Sequence, residues 1–277
     1  MDHRGGVTGL PGWPVRLWLA RHGQSAGNVA AAQALAARRP VIEVADRDID
    51  VPLSPLGGRQ AAALGAWFAG QPAGEQPSIV LTSPHLRAIQ TARAVIEAGH
   101  LAATARDPII DERLRERELG MLNRLTKQGI AGRYPEQAEL RARLGKFYYR
   151  PPSGESWCDV ILRLRSVLDQ VSLRWSGERV LVVAHQAVVL CFRYLLEQMT
   201  EAQILEIDAR TEVANCSLTA YERDADRMRL RFYNFVAPLE QAGAPVTREN
   251  DVPAAPHHGF LAREIAPEIR PLIDQLS

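Results

Sequence analysis

Two arginines and two histidines in this sequence stand just past short apolar runs. Arg21 and His22 close the run Arg16-Leu17-Trp18-Leu19-Ala20, followed by Gly23-Gln24-Ser25-Ala26-Gly27-Asn28. Ser78 to Thr82 leads into Ser83-Pro84-His85-Leu86-Arg87, and Arg179 to Ala184 leads into His185-Gln186. Cations at the ends of buried strands are costly to desolvate, and an anion held among them offsets that cost. A dianionic phosphoryl group fits the set: Arg21 and Arg87 supply bidentate forks, and His185 a further charged hydrogen bond.

The same residues can do chemistry on that group. Surrounding positive charge depresses the pKa of an imidazole, so one histidine stays neutral while another carries a proton. A neutral His22 can attack phosphorus in line and form a phosphohistidine. Its other ring nitrogen needs an acceptor, such as a backbone carbonyl, to fix the tautomer. The leaving alkoxide needs an acid, and a glutamate near an anionic substrate has its pKa raised toward that task. The charge run Asp111-Glu112-Arg113-Leu114-Arg115-Glu116-Arg117-Glu118 offers Glu112, Glu116 and Glu118. Arg117 can contact substrate or pair with a neighbouring glutamate. Asp50 and Ser54 read as turn former and N-cap.

These groups need elements to position them. Residues 15–20, 78–82 and 179–184 predict strands, the last almost wholly apolar, as suits a central parallel strand. Ser54 as N-cap with Pro55 predicts a helix to about Phe68. Ser83 as cap, Pro84 as first helical residue and Gly99 as terminator predict a second helix. Val160, Leu164, Val167, Leu168 and Val171 make 156–175 a long amphipathic helix. The Ala-rich 28–39 and the stretch from 186 to about 199 also read as helical, 43–50 as loop, and 214–221 with 228–236 as a hairpin. Strands alternating with helices predict an α/β three-layer sandwich with a mainly parallel sheet. In such sheets sites form beyond the carboxyl ends of the strands, where Arg21, His22, Arg87 and His185 lie.

Three segments fall outside this pattern. Residues 1–14, rich in Gly and Pro, predict a flexible arm before a catalytic domain over 15–236. Residues 121–155 are basic, with Arg124, Lys127, Arg133, Arg141, Arg143, Lys146 and Arg150, interleaved with Tyr134, Phe147, Tyr148 and Tyr149. This segment reads either as a solvated surface or as an insertion lidding the site and binding a second anionic group. Residues 237–277 predict a Pro-rich tail with a short helix over 262–276.

Composition bounds the function. Among 277 residues, 46% are hydrophobic and 23% charged, ordinary values for a soluble globular protein. A net charge of +1 gives no bulk case for nucleic acid or a membrane surface. Cys158, Cys191 and Cys216 lack metal-site spacing and read as reduced thiols. No apolar run reaches the roughly 18 residues that span a bilayer, and no signal-peptide core precedes residue 15. The expectation is a cytoplasmic protein with a small phosphorylated substrate, without nucleic-acid or membrane partners, and needing neither metal nor cofactor.

Taken in order, the motifs resemble the histidine phosphatase superfamily, or phosphoglycerate-mutase-like family. Arg21-His22-Gly23 resembles its signature, with Asn28 at the position of its phosphate-contacting Asn. Asp50-x-Pro52-Leu53-Ser54-x-x-Gly57 and Ser83-Pro84-x-x-Arg87-Ala88-x-Gln90-Thr91-Ala92 resemble its second and third blocks. Leu114-Arg115-Glu116-Arg117-Glu118-Leu119-Gly120 resembles the block carrying the acid/base, which places that role on Glu116. Ala184-His185 resembles the second catalytic histidine. The resemblance implies His22 as nucleophile, Arg21, Arg87 and His185 as phosphoryl clamp, and Asn28 as a further contact; Gln186, beside His185, reads as another phosphate contact. His185-Gln186-Ala187-Val188 looks like the fructose-bisphosphatase half of bifunctional phosphofructokinase enzymes. Met121-Leu122-Asn123-Arg124 departs from the mutase pattern, which tilts the reading to phosphatase. Gln24, where the family usually has Glu, is a mild departure. A mutase, and an idle scaffold for phosphorylated partners, are the rival readings.

Overall fold

The three apolar runs that end in charged residues all become strands, and their alignment builds the rest. A computed structural model of the chain describes residues 12–101 and 107–248. Its strands are β1 (Arg16–Arg21), β2 (Ile79–Thr82), β3 (Ile109–Ile110), β4 (Arg179–Ala184), β5 (Leu218–Asp224) and β6 (Arg227–Phe235). They form one sheet in the order β3-β2-β4-β1-β5-β6. The β3-β2-β4-β1 portion is parallel, and the β5–β6 hairpin adds antiparallel to β1. β3 falls beside a charge run that the sequence offered no reason to read as a strand.

Alternation along the strands sorts side chains onto two faces. Leu17, Leu19, Val180, Val182 and Ala184 face α6 (Trp157–Arg174) and α7 (Gln186–Leu196). Trp18, Ala20, Val80, Leu181 and Val183 face α2 (Pro55–Ala69) and α3 (Leu86–Ala98). The predicted stripe Val160, Leu164, Val167, Leu168 and Val171 is buried in the first of these layers. Helices therefore cover both faces, giving the three-layer α/β sandwich. The remaining helices are α1 (Ala26–Ala36), α4 (Lys127–Arg133), α5 (Pro135–Tyr148), α8 (Glu201–Arg210) and α9 (Ala237–Gln241).

Some expectations change. α3 starts at Leu86 with His85, not Ser83, as N-cap residue. Ser83 and Pro84 instead extend the loop beyond β2. α1 begins at Ala26 because Ser25 and Asn28 form a reciprocal capping box there. α8 follows Thr200, which forms a capping box with Gln203. Residues 12–14 of the expected arm are tied down: the Trp13 indole donates to the Asp226 carbonyl at 2.8 Å. Of the expected tail, 237–248 packs on the body, with Leu239 buried against the second layer. The helix expected over 262–276, and the arm's first eleven residues, lie outside the described residues. The 121–155 segment forms α4 and α5, with Phe147 packed on Trp157 and Tyr194.

Close packing fixes the loop after β1. Gln24 accepts the Ser54 backbone N–H at 2.9 Å, and Gly57 sits directly against that same Gln24 carbonyl. A Cβ on Gly57 would overlap the Gln24 backbone, and one on Gly23 would lie 2.6 Å from the Gly57 oxygen. Side chains of α2 and α3 complete the seat: Thr91 accepts the Gly23 N–H at 3.0 Å, and Gln60 the Gln24 N–H at 2.9 Å. Gly57→Ala is expected to destabilise the fold by about 1–3 kcal/mol through overpacking, read as a lower urea midpoint. An unchanged midpoint would contradict this packing.

Candidate active site

The register of the parallel strands decides which residues meet. Arg21 pairs with Ala184, and Thr82 with Val183, so β1, β2 and β4 end level. The ladder continues one residue further: His22 N–H donates to the Ala184 carbonyl at 2.9 Å, and Ser83 N–H to that of Val183 at 3.0 Å. His22, Ser83 and His185 thus leave the sheet side by side. The rings of His22 and His185 lie 5.1 Å apart, edge to face. A third ring, His85, lies 4.8 Å from His185.

Each expected residue has a definite place. His22 Nδ1 lies 2.7 Å from its neighbour's carbonyl, Gly23 O, so Nδ1 carries the proton and Nε2 the lone pair. Burial, then the charges of Arg87 and Arg21, holds the His22 pKa well below the ordinary histidine value. Burial, then Arg87 and His22, does the same to His185. Arg21 is buried and donates to the Val213 carbonyl at 2.6 Å and to Gln186 Oε1 at 3.3 Å. Gln186, first residue of α7, therefore orients Arg21. Asn28 Oδ1 accepts from the Ser25 N–H at 3.0 Å and from Asn215 at 3.3 Å, and Asn215 also donates to the His22 carbonyl at 3.0 Å. Asn28 is joined to the His22 loop through that bridge.

Geometry separates the three glutamates. Glu116 Oε2 is 3.6 Å from His185 Nδ1, while Oε1 accepts the Arg117 N–H at 2.8 Å. Glu112 and Glu118 are exposed. The loop bearing Glu116 is fixed by Glu155, which binds Arg115 at 2.6 Å, Arg163 at 3.1 Å and the Glu118 N–H at 3.1 Å. Arg117 donates to two backbone carbonyls, Glu155 at 2.7 Å and Tyr149 at 3.2 Å. Its guanidinium thus ties the end of the 121–155 segment to the loop bearing Glu116, a role neither sequence alternative named.

Arg87 donates to the Asp48 carbonyl at 2.6 Å and to its carboxylate at 3.3 Å. Burial works to raise the Asp48 pKa, but His85 and Arg87 outweigh it and hold the carboxyl well below the usual range. Asp48, Ser83, His85 and Asn215 are site residues that sequence reasoning missed. Ser83 passed for a helix cap, and Asp48 for one of several loop acids. His85 had a legible signal, standing two residues before Arg87 and three past a strand. Among the described residues, no group of three or more His, Cys, Asp or Glu is arranged to hold a metal ion. Among the same residues no helix is long and apolar enough to cross a membrane.

Two buried neutral histidines set a pH dependence. Below about 6.5, the ordinary value, the unfolded chain binds protons at His22 and His185 that the folded chain refuses. Stability is therefore expected to fall as pH drops from 7 toward 5, with each histidine contributing up to about 1.4 kcal/mol per pH unit. Asp48, also shifted down but from a lower ordinary value, adds a loss only as pH falls below about 4. Urea denaturation across pH 5–8 measures this; stability flat or rising toward pH 5 would contradict it.

The comparisons with known proteins bear on this constellation. A family model described as the histidine phosphatase superfamily (branch 1) matches residues 17–236. The chain is 32% identical over 222 residues to a 6-phosphofructo-2-kinase/fructose-2,6-bisphosphatase of Caenorhabditis elegans, covering 77% of this chain and 42% of that protein. It thus spans less than half of that relative. It is 32% identical over 180 residues to a 2,3-bisphosphoglycerate-dependent phosphoglycerate mutase of Gloeobacter violaceus, covering 64% of this chain and 77% of that one. A solved mycobacterial glucosyl-3-phosphoglycerate phosphatase with VO3 superposes with a TM-score of 0.58 at 28% identity, covering 79% of this chain and 99% of that chain. The matched span runs from the second residue of β1 through β6 and holds every residue of the constellation above. The chain belongs to branch 1 of the histidine phosphatase superfamily.

Proposed function

We propose that the protein is a phosphomonoesterase acting on a small phosphorylated metabolite through a phosphohistidine at His22. The observation that carries the reading is the pairing of His22 and His185 at 5.1 Å with Arg21 and Arg87 beside them. His22 Nε2 attacks phosphorus, and Glu116 gives its proton to the departing alkoxide. Glu116 then takes a proton from water as that water attacks the phosphohistidine, releasing inorganic phosphate and restoring both groups. Arg21, Arg87 and His185 hold the equatorial oxygens, where most of the rate enhancement arises. Arg87 must exchange its Asp48 contacts, at least in part, for the phosphoryl group.

The lid supports a substrate with a second anion. Burial and then the charge of Arg141 push the Arg117 pKa down, and Glu116 works to raise it, so Arg141 and Glu116 both act on the Arg117 guanidinium. Arg143 is exposed, and Lys146 is bound to Asp208 at 2.6 Å, so the second-anion role falls to Arg141 with Arg117. Relatives named for fructose-2,6-bisphosphate and glucosyl-3-phosphoglycerate are consistent with that class.

Phosphate release from a panel of phosphorylated metabolites tests the reading, and His22→Ala is expected to lower kcat/KM by about 10^4-fold. With 3-phosphoglycerate, a phosphatase releases phosphate, whereas accumulation of 2-phosphoglycerate identifies the mutase alternative. Arg141→Gln is expected to raise KM for a sugar bisphosphate about tenfold more than KM for p-nitrophenyl phosphate. Equal effects on both substrates would remove the second-anion role.

A further inference from the structure

We propose that Asp48, His85 and Ser83 are positioning residues forming a proton relay to His185, an inference that rests on the phosphoryl-transfer reading. Four groups are linked in series. Asp48 Oδ2 lies 3.1 Å from His85 Nε2, His85 Nδ1 lies 3.2 Å from Ser83 Oγ, and Ser83 Oγ lies 2.7 Å from His185 Nε2. The outer end reaches solvent, with the Asp48 side chain 46% exposed, while His185 is fully buried. At the inner end His185 Nδ1 has no hydrogen-bond partner and is directed toward Glu116 Oε2 at 3.6 Å.

The relay has two states. In the resting state His85 carries protons on both nitrogens, Nε2–H donating to the Asp48 carboxylate and Nδ1–H to Ser83 Oγ. The Ser83 hydroxyl donates to His185 Nε2, so the single proton of His185 sits on Nδ1. When a dianionic phosphoryl group arrives, the His85 Nδ1–H bond breaks as a new Ser83 O–H bond forms. The original Ser83 O–H bond breaks as His185 Nε2–H forms. One positive charge passes from His85 to His185, and no proton is gained or lost. In both states Nδ1 of His185 keeps its proton on the side of Glu116.

The surroundings explain why a relay is useful. His185 is faced by Arg21 and His22 from the end of β1, by His85 and Arg87 from the start of α3, and by Glu116 from the loop after β3. Asp48 faces His85 and Arg87 from the 48–50 turn. A ring so enclosed by cations resists protonation from bulk water, and the series of hydrogen bonds supplies the proton only once an anion is present.

Imidazole nitrogen NMR of 15N-histidine-labelled full chain tests the proposal, without ligand and with orthovanadate as probe. In the free protein the proton of His185 is expected on Nδ1, and with vanadate on both nitrogens. With vanadate, Ser83→Ala and His85→Gln should leave His185 neutral. In both variants the alkaline limb of kcat/KM for p-nitrophenyl phosphate should shift downward by about one pH unit. His85→Gln serves should Ser83→Ala fail to fold. A free-protein His185 proton on Nε2 alone overturns the relay. So does an unchanged pH profile in variants whose kcat/KM falls evenly, since that is what a merely structural role gives. Absence of hydrolysis by the unsubstituted protein would defeat the phosphatase reading, while the free-protein tautomer would still decide the relay.

Discussion

Everything at this site depends on holding guanidiniums and imidazoles together out of water. Arg21, Arg87, His22 and His185 are all buried at the carboxyl ends of β1, β2 and β4. Desolvation and mutual repulsion push charge off the two rings, because the arginines cannot give up theirs. The consequence is a neutral His22 beside fixed cations, as the proposed nucleophile requires. An arrangement of this kind is unfavourable alone and becomes favourable when a phosphoryl dianion enters.

The architecture keeps that cluster from relaxing. Parallel register sets His22 and His185 level, and the two apolar layers on either face lock the strands that carry them. The His22 loop is pinned from behind by Gly57, Gln60 and Thr91, so its carbonyl at Gly23 can fix the tautomer of His22. Glu116 is fixed separately, through the ion network around Glu155. Glu116 and His22 therefore rest on different supports, which suits the proposed roles on opposite sides of one bond.

Much of this was legible because the strands and helices obey local rules. Apolar runs ending in Arg21, in Thr82 and in Ala184 needed no tertiary information to be read as strands, and five ordered blocks named the residues at their ends. Ser54 with Pro55 and the 156–175 stripe announced their helices through capping and periodicity. What escaped depends on distance in space. Asp48 is 37 residues from His85, and Ser83 is 102 from His185, so neither bond has a local signature. Asn215 likewise reaches His22 across 193 residues. Ser83 carried a sound cap signal, yet its hydroxyl went to His185, and the helix began two residues later. Lys146 resembled its basic neighbours in sequence, and only the packing of α5 on α8 shows it paired with Asp208.

The central claim is that phosphorus bonds to one imidazole during turnover. Rapid quenching of the protein with a 32P-labelled phosphomonoester, followed by peptide mapping, measures this most directly. The account predicts an acid-labile, alkali-stable label on the peptide containing His22, absent from His22→Ala. Turnover with label on another residue, or with no protein-bound label at any quench time, would contradict it.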